Sequence, residues 1–176
     1  LMGTGCATSR LRSEGTRAFQ AGRYEVAAEK LESVILLKPR DGESRRLLGE
    51  CRIKLADQAI LAMNALSAEE NVPSVDQALE TGKRLRIETE RTIQCIRDIE
   101  SDPKQGPIVA STLRHLVESV EKLARAATQL SAQKSRLIAE AEAFVKTAQD
   151  LAAVKNYEDA RVSLARARAV HPKMTA

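Results

Sequence analysis

Apolar residues recur every three or four positions along most of this chain, a spacing that predicts helices. In the stretch 15–39, a helix ending near Ala21 is followed by Gly22 and by a second helix that runs to about Leu37. Gly22 can take the positive φ that a tight turn needs, and Pro39 lacks the N–H that would continue the second helix. The pattern therefore predicts two helices and a short turn near the start of the chain.

The middle of the chain predicts three longer helices with short connections. The third covers about 43–68, the fourth about 73–100, and the loop 102–107 precedes the fifth. Beyond that loop, apolar residues keep heptad spacing with Lys134 alone among them, which predicts one helix or two nearly collinear ones over 108–154. The heptad residues are Leu113, Leu116, Val120, Leu123, Ala127, Leu130, Leu137, Ala141, Phe144, Ala148 and Leu151.

The end of the chain repeats the opening pattern. Tyr157 lies 133 residues after Tyr24, and residues at the same offset complete the match. Lys155 and Asn156 stand at the turn instead of a glycine, and Asn tolerates the left-handed conformation better than most residues. The other matched pairs are Leu11 with Phe144, Ala18 with Leu151, Ala27 with Ala160, Leu31 with Leu164, Val34 with Ala167 and Pro39 with Pro172.

These patterns predict an all-α fold, an α-solenoid or helical bundle. Helical hairpins at 9–41 and 134–176 flank long antiparallel helices at 42–133. Aromatic residues make up 2% of the chain and Trp is absent, so packing rests on Leu, Val, Ile and Ala, which is typical of helix-on-helix folds.

The first hairpin resembles a known repeat family. Its residues Gly15, Gly22, Tyr24, Ala27, Leu31 and Pro39 are similar to the signature positions of a tetratricopeptide repeat, a helix-turn-helix unit of about 34 residues. The chain departs from the family at Leu11 and Ala18, where Trp and Tyr are usual. The two tyrosines are spaced by about four repeat lengths, so a degenerate array of five repeats is the competing architecture. Unbroken heptads in the middle favour two hairpins that flank a bundle.

The segment 1–8 resembles the end of a bacterial lipoprotein signal peptide. Gly5 precedes Cys6, and small polar residues follow it. In that family the Cys carries the lipid, and Ala7 in the following position resembles the outer-membrane sorting pattern. The resemblance implies a lipid anchor at Cys6 and a periplasm-facing location, whereas the alternative is an ordinary flexible leader.

Charge and motif content argue against several classes of function. Lys and Arg number 28 against 24 Asp and Glu, which indicates a mixed-charge surface, and the scarcity of aromatic residues argues against nucleic-acid binding. His115 and His171 have no ligands at metal-binding spacing, and Gly3-Thr4-Gly5 lacks the rest of a phosphate loop. We therefore expect no enzyme, no metal, no cofactor and no small-molecule substrate.

The repeat resemblance implies a protein-binding face on the first helix of each hairpin. Carried over position by position, that face consists of Arg12, Thr16, Phe19, Gln20, Arg46, Glu50 and Ile53. Phe19 and Ile53 would give apolar anchorage, and the two arginines would grip carboxylates of the partner. The alternative is that Phe19 is covered by a neighbouring helix. Thr16 replaces the Asn that chaperone-binding members use to clamp a C-terminal carboxylate.

Two cysteines are predicted to lie at similar heights on antiparallel helices. Cys51 and Cys95 are placed symmetrically about a turn near residue 72. In an oxidising periplasm they could form a disulfide, and otherwise they would be reduced and act as small core residues.

The sequence thus favours a non-enzymatic protein-protein interaction adaptor, anchored to a bacterial outer membrane through Cys6, that acts as a structural or assembly component of an envelope complex. The alternative is a soluble cytoplasmic scaffold that self-associates through an exposed heptad stripe.

Overall fold

The fold is taken from a computed structural model, which describes residues 4–66 and 71–173, with side chains from Ala7 onward. Within these ranges the chain forms six helices and no strand, so the predicted all-α fold is confirmed. The helices are α1 (Thr4–Gln20), α2 (Tyr24–Leu37), α3 (Gly42–Leu66), α4 (Val72–Arg97), α5 (Gly106–Ala153) and α6 (Tyr157–Val170).

Helix α5 is a single helix of 48 residues, so the two-helix alternative is wrong. Most of its heptad residues are buried within the chain, which means that this stripe is not the open surface that self-association through it would need. Lys134, the charged exception in the heptad pattern, reaches Asp76 of α4 with an Nζ to Oδ1 distance of 2.6 Å. The lysine is therefore paired instead of being buried alone among apolar residues.

The chain divides into two compact units. The first consists of Leu1–Ile60 and Gly82–Ala124, and the second of Leu61–Thr81 and Arg125–Ala176. This division differs from the boundaries expected near residues 41 and 133, because α3, α4 and α5 each contribute to both units.

In the first unit, α2 packs between α1 and α3 through one apolar cluster. Leu31 is fully buried at its centre, and Phe19, Tyr24 and Cys95 lie half-buried at its edge. The buried members are Ala18, Ala27, Ala28, Leu31, Ile35, Leu47, Leu48 and Cys51. Complete burial of a leucine side chain contributes about 2 kcal/mol, so this cluster is a main source of stability in the first unit.

Helices α3, α4 and α5 of the first unit approach one another at Gly49. A Cβ at this position would lie 3.1 Å from Leu116 Cδ1 and 3.2 Å from Ile96 Cδ1, and closer still to Thr112. Only glycine leaves room for such an approach. A second apolar cluster lies beside it, formed by Ile93, Ile96, Ile99, Val109, Leu113 and Leu116.

In the second unit, α6 packs through a narrow face. Its buried residues are Ala160, Ala167 and Val170, and Leu164 is half-buried. The small residues Ala160 and Ala167 let α6 lie close to the helix that it packs against. Asn156 caps the start of the helix, and its side chain accepts a hydrogen bond from the Asp159 N–H.

The two hairpin turns have the same backbone. Gly22 has a φ of 73° and Lys155 a φ of 62°. In the first turn, the N–H of Arg23 donates to the carbonyl of Ala18 at 2.9 Å, and in the second, the N–H of Asn156 donates to Leu151 at 2.9 Å. This pattern closes a helix with one left-handed residue. Asn156 was expected to supply the left-handed conformation, but Lys155 does so and Asn156 caps α6.

Candidate functional site

A groove between α1 and α3 contains most of the predicted binding face. Its volume is about 240 Å³. Of the seven predicted residues, six line it: Arg12, Thr16, Phe19, Gln20, Arg46 and Glu50. The remaining lining residues are Leu31, Glu43, Ser44 and Leu47. The tertiary structure therefore places α1 and α3 side by side, with most of the predicted face residues lining the groove between them.

The helical period explains why α1 lines the groove with one side and packs against α2 with another. Its groove residues Arg12, Thr16, Phe19 and Gln20 follow at intervals of four, three and one positions, so they lie within about 100° of one another on the helix. Gly15 and Ala18 lie on another side and are buried. Gly15 allows the close contact with α2, because a Cβ there would be 3.1 Å from Leu31 Cγ. The glycine thus sets the distance between α1 and α2 beneath the groove.

The two arginines of the groove are occupied by carboxylates of the chain itself. Arg12 pairs with Asp41, which also accepts a hydrogen bond from Ser44 Oγ at 2.8 Å. Arg46 pairs with Glu43 at 2.6 Å and with Glu50. The prediction that both arginines are open to grip a partner's carboxylates is therefore corrected: they are paired within the chain.

These ion pairs also favour the charged forms of the groups in the groove. The hydrogen bond from Arg46 is the main reason why the pKa of Glu43 lies below its ordinary value. The same contact raises the pKa of Arg46, so both groups are charged at neutral pH. Partly exposed pairs of this kind contribute about 0–1 kcal/mol each to stability. They order the side chains more than they stabilise the fold.

Phe19 is the apolar feature of the groove. It is half-buried, and its ring lies edge-on to Tyr24 with the centroids 5.5 Å apart and an interplanar angle of 62°. The ring is packed on the core cluster, yet it still lines the groove. The Thr16 hydroxyl donates a hydrogen bond to the backbone carbonyl of Arg12 at 2.9 Å. Gln20 is exposed.

Ile53 does not belong to the groove. It lies on the same side of α3, about one turn beyond Glu50, where it is half-buried against the cluster formed by α4 and α5. The repeat pattern predicted Ile53 as part of the binding face. At this turn, however, α3 continues as a long helix and packs against other helices of the first unit.

The cysteines have different surroundings. Cys6 lies in the first turn of α1, and its side chain is outside the described residues, as is the segment 1–3. Cys51 is buried and Cys95 half-buried in the same apolar cluster, and both are free thiols. Burial raises the pKa of Cys51 to about 12 and also raises the pKa of Cys95. They match the interpretation as reduced core residues.

A second groove, between α2 and α4, was missed by the sequence reasoning. At its centre the buried Arg52 of α3 bonds Glu32 of α2 and Glu88 of α4, each at 2.5 Å. Cavities of about 400 Å³ and 250 Å³ adjoin this triad. Leu36 lines the larger one and is 82% exposed. A stripe of Glu25, Glu29, Glu32 and Leu36 on the outer side of α2 is the signal in the sequence that could have indicated it.

Other chemistry is sparse in the part of the chain that the structure describes. His115 is exposed, and His171 caps the end of α6 by donating its backbone N–H to the carbonyl of Ala167. No cluster of His, Cys, Asp or Glu among the described residues could hold a metal ion. None of the described helices has both the length and the apolar character that crossing a bilayer requires.

Comparison of the sequence with protein-family models gave no match, and neither did comparison with curated proteins.

Proposed function

We propose that the chain is a non-enzymatic adaptor of the tetratricopeptide kind, which binds a segment of another protein in the groove between α1 and α3. The observation that carries the proposal is the convergence of six face residues on one groove of about 240 Å³. These residues come from α1 and α3, which lie on either side of α2 in the sequence. An open groove that combines an aromatic ring with charged and polar residues suits an extended peptide better than a small molecule.

The residues of the groove have distinct roles in this proposal. Phe19 gives the peptide an apolar contact that removes water from one side chain. Gln20 is exposed and can hydrogen-bond the peptide backbone through its amide. Because Arg12 and Arg46 are already paired, the groove is expected to favour uncharged peptide segments over acidic ones.

Selection from a displayed peptide library with the purified chain tests this function. The best peptide is synthesised with a fluorophore, and its Kd is measured by anisotropy. Gln20→Trp fills the groove and should weaken binding at least tenfold. Arg17→Trp is the matched control, because Arg17 is exposed on α1 and does not line the groove. Equal Kd values for wild type and Gln20→Trp would contradict the proposal.

We further propose that the adaptor is anchored to a bacterial outer membrane through lipid on Cys6 and is a component of an envelope complex. The support is the resemblance of the segment 1–8 to a lipoprotein cleavage site. The test is the intact mass and membrane fractionation of protein expressed from the full gene in a Gram-negative host. A lipid mass gain should be present in wild type and in Cys95→Ser and absent from Cys6→Ser. An unmodified wild-type chain in the soluble fraction would refute the anchor.

A further inference from the structure

One stripe of α6 is mostly exposed although its counterpart in α2 is mostly buried. This stripe, called the α6 arginine stripe, consists of Tyr157, Arg161, Leu164 and Arg168. The counterparts in α2 are Tyr24, Ala28, Leu31 and Ile35, which α3 covers with Leu47, Leu48 and Cys51. In α6, Tyr157 is 63% exposed and both arginines are exposed. Among the described residues, no helix covers Tyr157, Arg161 or Arg168 of the α6 arginine stripe.

The stripe carries two charges that the described residues leave without an ion pair. Arg161 and Arg168 are seven residues apart, which places them about 10 Å apart on the same side of the helix. Leu164 lies between them and is half-buried, and Tyr157 extends the apolar part toward the turn. A partner surface therefore needs carboxylates at a matching spacing and an apolar contact beside them.

The groove between α2 and α4 has these properties. Glu25 and Glu32 are also seven residues apart, Glu29 lies between them, and the apolar Leu36 ends the row. The cavity of about 250 Å³ is lined by the carboxylates of Glu25, Glu29, Glu32 and Glu88 against the guanidinium groups of Arg52 and Arg84 only. The excess of negative charge complements the two arginines of the stripe.

Glu25 and Glu29 are the parts of this groove most open to a partner. Glu25 is exposed and makes a single weak contact with Arg84 at 3.4 Å, with both side chains more than 60% exposed. Glu29 is exposed, and its carboxylate has no ion pair among the described residues. Glu32 is held by Arg52, but its side chain remains 48% exposed.

We propose that the α6 arginine stripe of one molecule docks in the α2/α4 groove of a second copy of the chain. The two surfaces are different, so the contact is heterologous: each copy offers one stripe and one groove, and assembly proceeds head to tail. The ion pairs lie at the rim, so they direct the pairing and weaken with salt. This contact is separate from the groove between α1 and α3 and does not depend on the function proposed for it.

Sedimentation velocity over a range of concentrations tests the contact. Wild type should form species larger than the 19.3 kDa chain, and 0.5 M NaCl should dissociate them. The stripe variant Arg161→Gln/Arg168→Gln and the groove variant Glu25→Gln/Glu29→Gln should each be monomeric. Two matched controls should associate as wild type does: Arg166→Gln, on the opposite side of α6, and Glu90→Gln, which is exposed on α4 and does not line the cavities.

A mixture of the two monomeric variants is the decisive measurement. The groove variant keeps its stripe and the stripe variant keeps its groove, so an equimolar mixture should form a dimer and nothing larger. A mixture that stays monomeric would overturn the proposal, as would a wild type that is monomeric at every concentration. Equal loss of association in Arg166→Gln would show that charge alone, and not the stripe, drives assembly, and would overturn it as well.

Discussion

Helices α2 and α6 are two versions of the same element in different surroundings. Each has 14 residues, and the residues before them have nearly the same backbone, with φ and ψ of −87° and 68° at Arg23 and −87° and 74° at Asn156. The residues that end them also agree, with φ of −136° at Lys38 and −135° at His171. The backbone of the hairpin is therefore reproduced although few of its side chains are the same.

The turn shows which part of this geometry the residue type controls. A lysine in the left-handed region costs about 1–2 kcal/mol that a glycine does not. Lys155 nevertheless takes the conformation of Gly22, because both turns make the same two hydrogen bonds: Gly22 N–H to Phe19 and Arg23 N–H to Ala18 in the first, and Lys155 N–H to Ala152 and Asn156 N–H to Leu151 in the second. The hydrogen bonds fix the turn, and the residue type determines only its cost in stability.

The α6 arginine stripe and its counterpart in α2 show the opposite case, in which the residue type decides the surroundings. Ala28 and Ile35 are apolar and α3 covers them, whereas the corresponding Arg161 and Arg168 are exposed. Burial of an unpaired arginine costs several kcal/mol, so the same backbone cannot be covered by an apolar helix in α6.

The largest expected difference between the two helices concerns their central leucines. Leu31 is fully buried and Leu164 half-buried. Leu31→Ala should lower the free energy of unfolding by about 3 kcal/mol, and Leu164→Ala by about 1 kcal/mol. Urea unfolding followed by tyrosine fluorescence separates the two regions, because the chain has two Tyr and no Trp. Tyr157→Phe leaves Tyr24 as the reporter of the first hairpin, and Tyr24→Phe leaves Tyr157. Equal losses would contradict the difference in burial.

The packing of α3 on α2 can be disturbed through Gly49, which lies on the side of α3 that contacts α4 and α5. Gly49→Val places a branched side chain against Leu116, Ile96 and Thr112, and the overpacking should cost about 2 kcal/mol. Urea unfolding with Tyr24 as the reporter should shift to lower denaturant. The control is Lys54→Val, which puts the same side chain at an exposed position of α3 and should leave the transition nearly unchanged. If Gly49→Val were as stable as wild type, the close approach of the three helices would be wrong.

Substitution of the two turn residues should change the stability of the two hairpins in opposite directions. Gly22→Ala should destabilise the first hairpin by about 1 kcal/mol, and Lys155→Gly should stabilise the last by a similar amount. Thermal unfolding of both variants in the single-tyrosine backgrounds measures the two shifts. A destabilising Lys155→Gly would mean that the lysine side chain makes a contact that outweighs the strain.

The smallest expected effect concerns the caps. Asn156 accepts a hydrogen bond from the Asp159 N–H, whereas Arg23 makes no side-chain cap. Arg23→Asn should therefore add about 0.5–1 kcal/mol to the first hairpin, and Asn156→Ala should remove about as much from the last. Amide hydrogen exchange in the first turns of α2 and α6 measures both changes. Unchanged protection in Arg23→Asn would show that the cap needs more than the residue type.

The helices were predictable because their signals are local. The positions of Gly22, Pro39 and the heptads gave bounds within a few residues, since a turn or a helical face depends on neighbours in the chain. The predicted face stays a prediction as a binding site, but six of its seven residues line one groove, because residues at helical spacing share a side of α1 or of α3. Ile53 was the exception, because its surroundings come from α4 and α5, far away in the sequence.

The sequence by itself determined the all-α fold, the helical hairpins at the two ends and the faces that α1 and α2 bury. The tertiary structure alone decided that Arg12 and Arg46 are paired within the chain, that Lys134 meets Asp76, and that a groove forms between α2 and α4. The physical reason is the range of the interactions. Helix formation and turn geometry follow from residues within a few positions, whereas pairing of charges and grooves depends on which helices lie side by side.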